Sequence, residues 1–63
     1  MPQSSANARS CLLKAEESAQ LANESISAED KEFWRHQARK WRRLAESYEY
    51  IGRLEAFMAK LNR

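Results

Sequence analysis

Apolar residues recur at heptad spacing in two stretches of the chain, and each stretch predicts an amphipathic helix. In the first stretch, apolar positions separated by alternating steps of four and three residues form the stripe Ala8, Leu12, Ala15, Ala19, Ala22 and Ile26. In the second stretch, the facing stripe comprises Trp34, Ala38, Trp41, Leu44, Ala45, Tyr48 and Ile51. Residues 1–5 precede the first helix and are predicted to be a disordered leader, and residues 6–63 are predicted to form a single helical-hairpin domain.

A short polar break separates the two predicted helices. Ser27 has the side chain of an N-cap residue, and Asp30 follows three positions later, close to the spacing of a capping box. Glu29 and Asp30 also place negative charge in the first turn, where the helix dipole favours it. A connection of two or three residues sets consecutive helices side by side and antiparallel. The predicted fold is therefore all-α, an antiparallel hairpin with helix 1 over about 6–25 and a longer helix 2 over about 28–61.

Small residues recur every seventh position in both helices. On helix 1 they are Ala8, Ala15 and Ala22. On helix 2 they are Ala38, Ala45, Gly52 and Ala59. Matched small side chains let two helices approach closely, and the Ala-rich face of helix 1 leaves room for the large rings of helix 2. We therefore expect close packing along these lines, with Trp34, Trp41 and Tyr48 in the core of the hairpin or at an interface.

The two predicted helices differ in length, and the difference leaves an apolar overhang. At 1.5 Å per residue helix 1 spans about 30 Å and helix 2 about 50 Å, so helix 1 covers helix 2 only to Tyr48 or Tyr50. The candidate association residues lie in the overhang or off the hairpin face: Leu13, Leu21, Tyr50, Ile51, Leu54, Phe57, Met58 and Leu61. An exposed apolar helix face favours a partner. We expect a second copy, forming a homodimeric four-helix bundle; the alternatives are a heterologous protein or a membrane surface.

The composition excludes several classes of protein. A single Gly and a single Pro supply too few turns for an all-β fold. Cys11 is the only cysteine, so no internal disulfide can form, and together with the single His36 it cannot build a zinc site. No apolar run approaches the roughly 18–20 residues of a membrane span. The first residues lack the pattern of a signal peptide, so we expect a cytoplasmic location.

No group of residues in the sequence indicates catalysis. Glu32 and His36 are one helical turn apart, a spacing typical of an ordinary exposed pair. Cys11 has no candidate base or orienting group nearby, so we interpret it as a small buried or half-buried side chain; an intermolecular disulfide on oxidation is the alternative. The single Gly excludes a Gly-rich phosphate loop. We therefore expect no catalytic residue, no metal site, no cofactor and no enzymatic activity.

Positive charge is concentrated in the second half of the chain. Residues 1–31 carry a net charge of −2 and residues 32–63 a net charge of +4, which together give the +2 of the whole chain. The candidate nucleic-acid contacts, predicted to lie on one side of helix 2 roughly opposite the Trp34–Tyr48 stripe, are Arg35, Arg39, Arg42 and Arg43. Such a line of arginines can contact phosphates. The alternative is a solvated face on which neighbouring glutamates, such as Glu46 beside Arg42, pair with the arginines.

Part of the chain resembles a known type of short helical protein. The matching segments are residues 8–17 (ARSCLLKAEE), residues 21–22 (LA) and residues 41–46 (WRRLAE). Over about residues 8–50 this order is similar to short helical-hairpin proteins of rhizobia and related alphaproteobacteria. The resemblance implies a bacterial, cytoplasmic context and brings no catalytic or binding residues with it.

Two hypotheses about function follow from the sequence. The favoured one is a small, non-enzymatic, self-associating interaction protein that uses the overhang as its assembly surface. The alternative is an RNA- or DNA-binding hairpin dimer that uses the basic face of helix 2.

Overall fold

The protein forms two helices packed side by side in a hairpin, which confirms the predicted all-α hairpin. The structure, a computed structural model, describes the backbone of residues 3–62 and the side chains of residues 4–62. Helix α1 covers Gln3–Glu24 and helix α2 covers Ala28–Leu61. The hairpin measures 55 × 14 × 10 Å, so its shape is set by the length of α2.

The connection between the helices is held by side-chain caps. The Ser27 hydroxyl accepts hydrogen bonds from the backbone N–H groups of Glu29 at 3.1 Å and Asp30 at 3.4 Å, which confirms the predicted N-cap and the start of α2. At the end of α1, the Lys31 ammonium donates to the Ala22 carbonyl oxygen at 3.3 Å. That contact places a cation at the carboxyl end of α1, where the helix dipole favours it. Residues 25–27 therefore reverse the chain over a short distance.

Helix α1 begins earlier than its sequence pattern predicts. It starts at Gln3 rather than about Ala6, so residues 3–5 of the predicted leader are helical, whereas Met1 and Pro2 lie outside the described residues. The Ser4 hydroxyl donates a 2.7 Å hydrogen bond to the Glu55 carboxylate. This carboxylate lies at the amino end of α1, where the dipole favours negative charge. Helix α1 consequently covers α2 as far as Glu55, and the prediction that coverage ends at Tyr48 or Tyr50 is wrong.

The face that α1 turns toward α2 contains only small side chains. Its buried residues are Ser4, Ala8, Cys11, Ala15, Ser18 and Ala22. The predicted stripe is right at Ala8, Ala15 and Ala22, whereas Ala19 is half-buried and Leu12 and Ile26 are exposed. The helix is rotated so that Cys11 and Ser18 face α2 instead. Their smaller side chains allow a closer approach of the two backbones and leave room for rings on α2.

The facing side of α2 alternates small and aromatic residues. Ala38 and Ala45 are buried, and a Cβ atom added at Gly52 would lie 3.3 Å from the Ser4 hydroxyl oxygen. These contacts confirm the predicted close approach, although Ala59 lies beyond α1 and is exposed. The half-buried aromatic residues are Trp34, Trp41 and Tyr48. We call this face of α2, residues 34, 38, 41, 45, 48 and 52, the seam.

The hairpin exposes more surface than a compact protein of its mass. Its accessible surface is 5360 Å², whereas a globular monomer of 7.4 kDa exposes about 4,200 Å². Its radius of gyration is 15.4 Å, compared with about 11 Å for a compact chain of this length. No side chain larger than alanine reaches full burial among residues 4–62. The contact between the two helices therefore supplies only a small part of the apolar burial that a stable domain of this size needs.

Candidate functional site

The large aliphatic and phenylalanine side chains lie on the outside of the hairpin. Every Leu, Ile and Phe of the chain is exposed, with relative accessibilities from 39% for Leu21 to 99% for Ile26. The predicted association residues are all exposed: Leu13, Leu21, Tyr50, Ile51, Leu54, Phe57, Met58 and Leu61. The apolar surface is thus distributed in the opposite way to that of an ordinary globular domain, in which these residue types are the most often buried.

Helix α2 carries a second heptad stripe, which we call the outer stripe. It comprises Phe33, Gln37, Lys40, Leu44, Ser47, Ile51, Leu54, Met58 and Leu61. Members of the outer stripe immediately precede members of the seam, as Leu44 precedes Ala45 and Ile51 precedes Gly52, so the two stripes are rotated by about 100° around the helix. Sequence reasoning placed Leu44 and Ile51 in the seam, but both are exposed and belong to the outer stripe. From Leu44 onward the outer stripe is apolar at every position except Ser47.

The structure brings some of the predicted association residues together and separates others. Tyr50 and Phe57 each immediately precede an outer-stripe residue, so they border the stripe on the side away from the seam. Tyr50 and Ile51 line one shallow hollow. Leu21 lines a different hollow on α1, and Leu13 lies on the far side of that helix, two positions from the buried Ala15. The coherent apolar surface is therefore the carboxyl-terminal half of α2.

The basic residues form two adjoining hollows rather than one line opposite the seam. Arg35, Arg39 and Arg42 line a hollow of about 260 Å³ beside Ala19 and Ala22 of α1. Arg43 lines a second hollow with His36, Lys40 and, again, Arg39. The four arginines share one side of α2, but the prediction that this side lies roughly opposite the seam is wrong, because Arg35 and Arg42 directly follow Trp34 and Trp41 and line a hollow with α1. Arg39 joins the two hollows into one basic surface.

Glu32 is the acid that pairs with this basic surface. Its carboxylate lies 4.0 Å from Nη1 of Arg35 and 3.6 Å from Nη2 of Arg39, and all three side chains are well exposed. Exposed pairs of this kind contribute at most about 1 kcal/mol. Across residues 4–62 these are the ion pairs within 4 Å, so the expected Arg42–Glu46 pair is absent. Among the described residues, Arg42, Arg43 and Lys40 have no carboxylate within 4 Å, and the Lys40 ammonium lies 5.6 Å from the centroid of the Trp41 ring.

The remaining candidates from the sequence have structural positions. Cys11 is buried in the contact between the helices, which favours its interpretation as a small packing residue over an exposed thiol. In the described part of the chain, no three His, Cys, Asp or Glu side chains are grouped as a metal ion would require. Neither α1 nor α2, over the described residues, has a stretch that is both long and apolar enough to span a bilayer.

Comparisons with protein-family models, with curated proteins and with solved structures each gave no match. The resemblance over residues 8–50 therefore stays a prediction.

Proposed function

We propose that this protein is a small, non-enzymatic interaction protein that self-associates through the exposed apolar face of α2, forming a dimeric four-helix bundle in the cytoplasm. The observation that supports this proposal is the separation of small and large apolar side chains. The buried residues between α1 and α2 are Ala, Ser and Cys, beside the half-buried Gly52 and the rings of the seam, whereas every Leu, Ile and Phe is at least 39% exposed. Such a hairpin has the face of a bundle component and lacks the core of an independent domain.

Burial of the outer stripe would stabilise a dimer. Full burial of one Leu, Ile, Phe or Met side chain stabilises a protein by about 1.5–3 kcal/mol, and the outer stripe offers several such side chains per copy. A standard interface removes about 800 Å² from each partner. That area is of the same order as the excess of the hairpin's 5360 Å² over the surface of a compact chain of the same mass. Association would therefore give the hairpin the surface-to-mass ratio of an ordinary small domain.

The direct test is the solution molar mass, measured by light scattering during size exclusion over a range of concentrations. We expect a species of twice the 7.4 kDa chain mass that dissociates on dilution together with loss of helicity, because folding and assembly are coupled. A monomer that stays folded and melts cooperatively at every concentration would contradict the proposal. In that case we expect the exposed face to bind a different protein, and the carboxyl-terminal half of α2 is the segment to use as bait in a pull-down.

A second candidate function, nucleic-acid binding, is favoured by the two hollows that Arg39 joins into one basic surface. Backbone phosphates fit such a surface, and their binding weakens steeply as the salt concentration rises, because releasing condensed counterions into concentrated salt gains less free energy. We expect an RNA or DNA column to retain the protein at low salt, and the quadruple change of Arg35, Arg39, Arg42 and Arg43 to Gln to abolish retention without altering the oligomer mass. A control that removes the same charge elsewhere changes Arg9, Lys14, Arg53 and Lys60 to Gln. Equal loss in both variants, or no retention of the unmodified chain, would exclude this function.

A further inference from the structure

We infer that two copies pair antiparallel along the outer stripes of α2, with Ile51 of each copy opposite the partner's Leu54. The inference rests on the proposed self-association and specifies its interface and orientation. The occupant of the exposed apolar face is accordingly a second copy of the same helix, related by a two-fold axis that passes between the two α2 helices at the level of residues 52 and 53.

The apolar part of the outer stripe determines where two copies would overlap. It runs from Leu44 to Leu61, and its midpoint lies between residues 52 and 53. Antiparallel pairing about that midpoint sets Leu44 opposite the partner's Leu61 and Ser47 opposite the partner's Met58. Two of the three kinds of pair then join apolar residues, and in the third the small Ser47 accommodates the long Met58. The polar members of the stripe, Gln37 and Lys40, stay outside the overlap and in water.

The distribution of charge along α2 favours the antiparallel orientation. Residues 35–43 contain five basic side chains and no acid. A parallel pair would place Lys40 against the partner's Lys40 within the stripe and hold the two basic segments side by side, and like charges in that arrangement repel. The antiparallel pair separates the two Arg39 positions by about 40 Å along the axis. It also brings Glu46 near the partner's Lys60 twice, once on each side of the two-fold axis, and sets Arg53 near the partner's Arg53 once, so pairs of opposite charge outnumber the pair of like charge on this flank of the stripe.

Helix α1 extends alongside α2 into the overlap. The hydrogen bond between Ser4 and Glu55 shows that α1 covers α2 through residue 55. The overlap from Leu44 to Leu61 therefore contains α1 of each copy over part of its length. Because the seam and the outer stripe are rotated by about 100°, α1 and the partner's α2 occupy adjacent sides of α2. Residue 55 of one copy lies opposite residue 50 of the other, so both α1 helices reach the level of the two-fold axis and all four helices lie together over residues 50–55. The part of α2 that extends beyond α1, after residue 55, then lies against α2 of the partner in both copies.

Disulfide trapping tests the orientation. All variants carry Cys11→Ser, so that introduced cysteines are the only thiols. Three variants add Ser47→Cys, Met58→Cys or both, and each is oxidised with copper phenanthroline at a concentration where light scattering shows a dimer. We expect the double variant to form covalent dimer in high yield and each single variant to form at least tenfold less. The reason is that in the antiparallel pair residue 47 faces the partner's residue 58, whereas like residues are about 16 Å apart along the axis.

The outcomes distinguish this inference from the proposed function. Efficient trapping of both single variants would establish parallel pairing and overturn the inference, while self-association would stand. A dimer by light scattering in which none of the three variants is trapped would place the interface elsewhere and overturn the inference as well. A monomeric Cys11→Ser chain and a monomeric unmodified chain would overturn both. After reduction, every trapped species must migrate as the single chain in a denaturing gel.

Discussion

Replacement of Leu54 and Phe57 together by glutamate is expected to convert the dimer to monomer and to abolish most of the helical signal at micromolar concentration. Both side chains are more than two-fifths exposed in the isolated hairpin, at 44% and 59%, so an isolated hairpin would tolerate the change. In the proposed dimer Leu54 lies at the centre of the interface and Phe57 at its border. Loss of their burial in both copies costs on the order of 6 kcal/mol, which lowers the association constant more than 10⁴-fold.

The matched control adds the same two negative charges away from the outer stripe. Ala6→Glu with Asn23→Glu changes exposed positions of α1 and should leave the molar mass from light scattering and the circular dichroism unchanged. If Leu54→Glu with Phe57→Glu also keeps the mass and melting temperature of the unmodified chain, the outer stripe is not the assembly surface. Unfolding of both variants would indicate instead that the hairpin does not withstand added negative charge.

The elements of this fold were predictable from the sequence because their signals are local. Ser27 and the acids after it determine where α2 begins, and hydrogen bonds from its hydroxyl to Glu29 and Asp30 confirm that assignment. The short connection leaves only antiparallel packing. The start of α1 was not predictable, because it depends on a contact between Ser4 and Glu55, which are 51 residues apart in sequence. No pattern confined to the first residues encodes that contact.

The faces of the helices were harder to predict than the helices. On α1 two heptad stripes share Ala8, Ala15 and Ala22, and they differ in whether Leu12 or Cys11 completes them. Hydrophobicity favours Leu12, whereas the hairpin uses Cys11 because close approach requires small side chains. On α2 the same choice between Leu44 and Ala45 goes to the alanine. Sequence hydrophobicity thus identified the surface available for association and misassigned part of it to the contact within the chain.

The same distinction predicts the effect of a larger side chain at Ala45. Ala45→Leu should lower the melting temperature by about 10 °C, corresponding to about 2 kcal/mol in a domain of this size. The position is 0% exposed, and Ala15 of α1, which faces α2 in the same contact, is 1% exposed. Leucine is a good helix former, so helix propensity does not explain a loss of stability. The cause would be separation of α1 from α2 by overpacking.

Ala59→Leu provides the control, because it makes the same substitution two heptads further along the same line of α2. Ala59 is exposed and lies beyond the reach of α1, so its replacement should leave thermal unfolding, measured at one fixed protein concentration, within about 0.5 kcal/mol of the unmodified chain. If Ala45→Leu is as stable as Ala59→Leu, the small-residue contact is not what holds the hairpin together. A loss of stability confined to Ala45→Leu would show that small residues stabilise the contact between α1 and α2. The large apolar residues of α2 are then free to stabilise the dimer.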